Sequence, residues 1–129
     1  MTSTAPDTAT LTSRQRSHFR KRLDDDRTET AELIIRLDAD VASFHGSRAG
    51  SSVDDEHDPE GPTLAFEQSQ ASAILEQTRV HLSQIDKALE RLEAGTFGSC
   101  VTCLRPIPVA RLEARPYSTQ CVACASVAR

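Results

Sequence analysis

Residues 100–124 read CVTCLRPIPVARLEARPYSTQCVAC, and this stretch holds all four cysteines of the 129-residue chain. They fall as two pairs, Cys100-Val-Thr-Cys103 and Cys121-Val-Ala-Cys124, with 17 residues between them. A CxxC turn places two thiolates on one tetrahedral ion, and two such turns complete a four-cysteine zinc site. Cys100, Cys103, Cys121 and Cys124 are therefore the expected ligands of one Zn2+, in a zinc-ribbon-like finger over residues 96–129. A four-thiolate shell leaves no open position for water, so this ion is expected to be structural. Its binding energy would hold together a segment too short to fold alone. Two disulfides, or a redox-active pair, are the competing uses of such cysteines. The first goes with a secretory signal, and Met1–Thr10 has no basic region followed by an apolar run. The second goes with a CxxC that opens a helix in a βαβ context, and none is visible.

Upstream of the cysteines the chain is patterned as helix. From about Leu64 to Ala94, the residues Ala71, Leu75, Thr78, Leu82, Ile85, Leu89 and Leu92 recur at alternating spacings of four and three. That is a heptad seam. Gly95 stands where a helix stop belongs. From about Leu11 to Phe44 there is no Gly or Pro, and Phe19, Leu23, Leu33, Ile34, Leu37, Val41 and Phe44 form a second stripe. Asp26 and Thr30 interrupt it, so packing there should be weaker. Gly46, Gly50, Pro59, Gly61 and Pro62 break the pattern between His45 and Thr63. Two long helices joined by one loop form an antiparallel hairpin most economically. At ~1.5 Å per residue, the second helix would be about 45 Å long. The expected fold is thus mainly α: a two-helix coiled-coil hairpin over 11–95 with a tip loop at 45–63, then the zinc finger. Residues 1–10, polar and rich in Ser, Thr and Ala, read as a disordered tail. A helix that pairs with another chain is the alternative; the matched helix lengths favour the hairpin within one chain and a monomer.

Composition and charge limit the function classes. Hydrophobic residues make up 38% and aromatic residues only 4%, with no Trp, which argues against a large globular core. No run approaches the ~18–20 apolar residues of a membrane span. A soluble cytoplasmic protein with metal-bound cysteines is the expectation. The tip loop carries Asp54, Asp55, Glu56, Asp58 and Glu60 against Arg48, a net of −4. The start of the first helix carries Arg14, Arg16, Arg20, Lys21 and Arg22. Residues 100–129 carry Arg105, Arg111, Arg115 and Arg129 against Glu113, a net of +3 before metal binding. Arginines near a zinc–tetrathiolate offset its negative charge, and Arg105, Arg111 and Arg115 are candidates. The whole chain is at −4 and the finger offers no Arg/Lys-rich recognition helix, so direct sequence-specific DNA binding is not expected. No catalytic triad, phosphate loop or paired carboxylates point to an enzyme. His18, His45, His57 and His81 read as surface residues, because four cysteines already complete the site.

Three motifs carry a resemblance: Gly95-Thr-Phe-Gly-Ser-Cys100, then Arg111-Leu-Glu-Ala-Arg-Pro116, then Cys121-Val-Ala-Cys124. The chain resembles the DksA/TraR family of bacterial transcription regulators over roughly Leu64 to Arg129, while the first helix matches in character. Asp55-Glu-His-Asp-Pro-Glu-Gly61 looks like an actinobacterial-type branch. The resemblance implies RNA polymerase as partner. A coiled-coil arm would enter the secondary channel and bring tip acids near the active-site Mg2+, in some members together with ppGpp. Asp55, Asp58 and Glu60 become the candidate tip acids, and Arg111 and Arg115 candidate contacts to the channel rim.

Two departures stand out. The family's tip motif is Asp-x-x-Asp-x-Ala; Asp55 and Asp58 keep the spacing, but Glu60 replaces the alanine. Counted back from Cys100, the family's acids fall nearer His57 and Glu60. Leu104 replaces the glycine usual after the first CxxC, where glycine eases the turn, so this knuckle is expected to be strained. The non-standard tip keeps a second reading open: a zinc-ribbon adaptor that binds another protein or itself through its coiled coil, without reaching the polymerase active site.

Overall fold

The computed structural model describes residues 11–50 and 60–127, with side chains over 11–44 and 62–127. Two long helices dominate: α1, Ser13–Gly50, and α2, Glu60–Ala94. Two short ones follow, α3, Val109–Ala114, and α4, Val122–Val127. Among the described residues there is no extended strand; the ribbon character of the finger reduces to one antiparallel bridge, Ser99 to Pro106. No described helix is long and apolar enough to cross a membrane.

Helix ends follow local chemistry. Thr12-Ser13-Arg14-Gln15 forms a capping box: the Gln15 N–H donates to Thr12 Oγ1 at 3.0 Å, and the Thr12 N–H donates to Gln15 Oε1 at 2.9 Å. α2 ends as its glycine predicts. Gly95 takes φ 82°, and the N–H groups of Thr96 and Phe97 both donate to the Arg91 carbonyl. At the other boundary the expected loop 45–63 is too wide. α1 continues to Gly50 and α2 already starts at Glu60. Pro62 falls in the first turn of α2, where its missing N–H has no helical acceptor to lose. Gly46 and Gly50 weaken a helix by only ~1 kcal/mol each, which does not stop one.

The chain divides into two compact units, one of the described residues up to Arg27 and from Ser83 onward, the other of Thr28–Leu82. In the first, Phe19 and Leu23 of α1 are fully buried against Ile85, Ala88 and Leu92 of α2 and Phe97, Ile107 and Leu112 beyond it. Each of the Phe, Leu and Ile side chains among them contributes roughly 1.5–3 kcal/mol of burial. Arg20 pairs with Glu93 and Arg27 with Asp86, an antiparallel order. In the second unit, Leu75 and Thr30 are buried and Arg79 pairs with Asp38 at 3.0 Å.

The predicted seam of α2 holds. Leu75, Ile85 and Leu92 are buried, and Ala71, Thr78, Leu82 and Leu89 are half-buried. The α1 stripe needs one correction. Thr30, read as an interruption, is an inward position at 5% exposure, whereas Leu33 lies on the outer side at 36%. The reason is phase: Leu23, Asp26, Thr30, Ile34, Leu37, Val41 and Phe44 share one face, and Leu33 sits ~100° away from Ile34. Between Thr30 and Ile34 a second spacing of four replaces the expected three, a local break of the heptad.

Candidate metal centre

The first pair of cysteines sits on a tight turn. Cys100 N–H donates to the Arg105 carbonyl at 2.8 Å, Leu104 N–H to the Cys100 carbonyl at 2.9 Å, and Ile107 N–H to the Gly98 carbonyl at 2.7 Å. Leu104 closes that turn at φ 66°, the only described non-glycine residue with positive φ, so the expected strain is present. Gly98 has φ 92°, and a Cβ there would lie 3.7 Å from Leu11 and 3.8 Å from Leu112. The second pair straddles the start of α4: Cys121 precedes the helix and Cys124 lies in its first turn.

The four Sγ atoms all lie within 4.8 Å of one another. Cys103 and Cys121, one from each pair, are 3.8 Å apart. A tetrahedral ion with Zn–S bonds of about 2.3 Å needs sulfurs about 3.8 Å apart. The donor set therefore fits one structural Zn2+. Cys100 is fully buried and the other three are half-buried, so the shell is closed.

The thiols ionise unequally, because hydrogen bonds within the cluster favour the thiolate at two of them and the thiol at a third. Cys100 is drawn down to about 6, first by the backbone N–H of Cys103, with burial opposing. Cys121 is also lowered, first by the backbone of Cys124. Cys124 is pushed up to about 12, first by its contact with the Cys121 sulfur and then by burial. Four thiolates cannot share this space uncompensated; a dication allows it.

The other predicted residues fare differently. Asp55 and Asp58 lie outside the described residues, as does His57; Glu60 opens α2, and its side chain is not described. Arg111 is half-buried and donates through Nε to the Gln120 carbonyl at 2.8 Å. Arg115 is exposed at the C-terminal end of α3. Lys87, Arg111 and Arg115 line a hollow of about 290 Å³ with Ser118, whose buried Oγ has no hydrogen-bond partner. His18, read as a surface residue, contacts Glu113 at 2.9 Å, and Arg22 reaches the same carboxylate at 3.0 Å. Arg91, absent from the sequence reading, donates to the Ser118 carbonyl at 3.3 Å. Nothing local in the sequence marks that contact, because the partners are 27 residues apart.

Comparison with known proteins matches this geometry. Residues 95–128 fit the model of the prokaryotic dksA/traR C4-type zinc finger. The structure of transcription factor DksA2 from Pseudomonas aeruginosa superposes with a TM-score of 0.74 at 25% identity, covering 88% of this chain and 82% of that one. Residues 95–128 thus carry a zinc finger of the dksA/traR type. Among curated relatives, the RNA polymerase-binding transcription factor DksA of Caulobacter vibrioides is 47% identical over 47 residues, 36% of this chain and 33% of that protein. YteA of Bacillus subtilis is 29% identical over 116 residues, 84% of this chain and 47% of that one. The matched region spans about a third of the Caulobacter DksA and under half of YteA. The family model covers the finger alone, where the four cysteines gather.

Proposed function

We propose that this chain is a transcription regulator that binds RNA polymerase and inserts its helical hairpin into the secondary channel. The observation that carries the reading is the DksA2 match, which extends over both long helices as well as the finger. The name of the Caulobacter relative supplies the partner. In this reading zinc has no catalytic part; it holds the finger, whose arginines meet the channel rim. Arg115, exposed, is better placed for that contact than Arg111, which is tied to Gln120. Asp55 and Asp58, with Glu60, are the acids proposed to act at the tip. The hollow of Lys87, Arg111 and Arg115 suits an anionic effector such as ppGpp, completed by the polymerase surface. The test is binding of zinc-loaded protein to cognate core RNA polymerase, with competition by a known secondary-channel binder. Mutually exclusive binding supports the reading; binding without competition, or none, sinks it.

A second reading, an adaptor that binds through its helices, is favoured by the exposed apolar residues Ile35, Phe66 and Val80, at 68%, 62% and 51% exposure. Sedimentation equilibrium separates the two, since a stable dimer supports the adaptor.

A further inference from the structure

The segment Ser118-Thr119-Gln120 leads directly into Cys121, and each of its carbonyls is taken by a different part of the same unit. The Ser118 carbonyl accepts from the Arg91 guanidinium on α2 at 3.3 Å. The Thr119 carbonyl accepts from the Val101 N–H, inside the first CxxC, at 2.9 Å. The Gln120 carbonyl accepts from Arg111 Nε on α3 at 2.8 Å. Gln120 also donates through its side-chain amide to Thr102 Oγ1 at 2.9 Å, again inside the first CxxC. Three consecutive peptide groups are thus held from three directions, immediately before a zinc ligand.

Two of the three holds are arginines, and both hydrogen bonds are part-buried. Burial lowers the Arg91 pKa below its usual value, a sign that its charge is partly desolvated. A zinc–tetrathiolate carries a formal charge of −2, and groups that fix its ligands or supply positive charge strengthen it. A guanidinium serves both ends here. Its planar donors fix the carbonyl direction, and its charge stays close to the thiolate-bearing knuckle.

We infer that Arg111, assisted by Arg91, is a positioning residue of the zinc centre: it sets the approach to Cys121 so that the second cysteine pair is preset against the first. This role is separate from any contact with polymerase and stands whether or not the hairpin enters the channel.

The test is zinc affinity of the full chain, measured by competition with a chromophoric chelator. Arg111→Ala is expected to lower affinity about 10–100-fold, the usual effect of losing an outer partner of a metal ligand. The Co2+-loaded variant should keep the absorption of a tetrahedral four-thiolate site, since the donors are unchanged. Arg111→Lys retains a cation but has no Nε, so its affinity should fall between those of the alanine variant and the parent. Arg20→Ala, which removes an exposed cation paired with Glu93, is the charge-matched control and should bind zinc as the parent does. Parental affinity in Arg111→Ala, or an equal loss in Arg20→Ala, would overturn the assignment. If Arg111→Ala does not fold, Arg111→Lys decides alone, and parental affinity there rejects it.

Discussion

Phe19 of α1 and Phe97, two residues beyond the α2 stop at Gly95, meet with ring centroids 5.5 Å apart at a tilt of 46°. One ring comes from the first helix and the other from the entry to the zinc finger. The contact ties the finger to both long helices, because Phe19 also packs in the cluster with Ile85, Ala88 and Leu92. Phe97→Ala is expected to destabilise the protein by about 3–5 kcal/mol, the range for a buried Phe truncated to Ala. Urea unfolding of the zinc-loaded protein measures this; a change under ~1 kcal/mol would mean the ring is not part of the core.

Leu104 holds a left-handed backbone conformation with a side chain that is 74% exposed. Its side chain therefore gains little packing while its Cβ opposes the turn. Leu104→Gly should stabilise the zinc-loaded fold by about 0.5–1 kcal/mol, the relief at positive φ less the larger entropy of unfolded glycine. The melting temperature should rise by a few degrees; a lower one would show that the leucine makes contacts not visible in the isolated chain.

Zinc binding should depend on pH with a definite sign. A thiol must lose its proton to ligate, so acid competes with the metal. Cys100, near 6, is largely ionised at neutral pH, whereas Cys124, near 12, is not. Loading at pH 7 should release the Cys124 proton, and affinity should rise as the pH is raised from 6 to 8. Calorimetry in buffers of different ionisation enthalpy counts the protons; zero release would contradict the thiol assignments.

Removing the tip charges probes the polymerase reading. Asp55→Asn with Asp58→Asn should leave polymerase affinity within about twofold and weaken the effect on transcription. In vitro transcription beside a binding assay separates the two. Regulation unchanged in the double variant would remove these acids from the mechanism.

The zinc centre was legible in the sequence because it is built from two local repeats. A CxxC turn brings two sulfurs together by backbone geometry alone, and only the meeting of the pairs required the fold. The α2 seam was equally legible, since its spacings of four and three persist without a break from Ala71 to Leu92. The capping box at Thr12 and Gln15 could also have been read, because the signal lies within four residues. Tertiary packing decided the rest. Thr30 became an inward residue and Leu33 an outward one because helix phase outranks hydrophobicity at a single position. The helices extended past the glycines into the expected loop because a single glycine is only a small penalty against continued helix. The Arg91 and Arg111 holds on the approach to Cys121 join residues 27 and nine positions apart. No local rule specifies such pairs; they arise when burial of Leu112 and Phe97 sets α3 and the second knuckle against α2 within one unit.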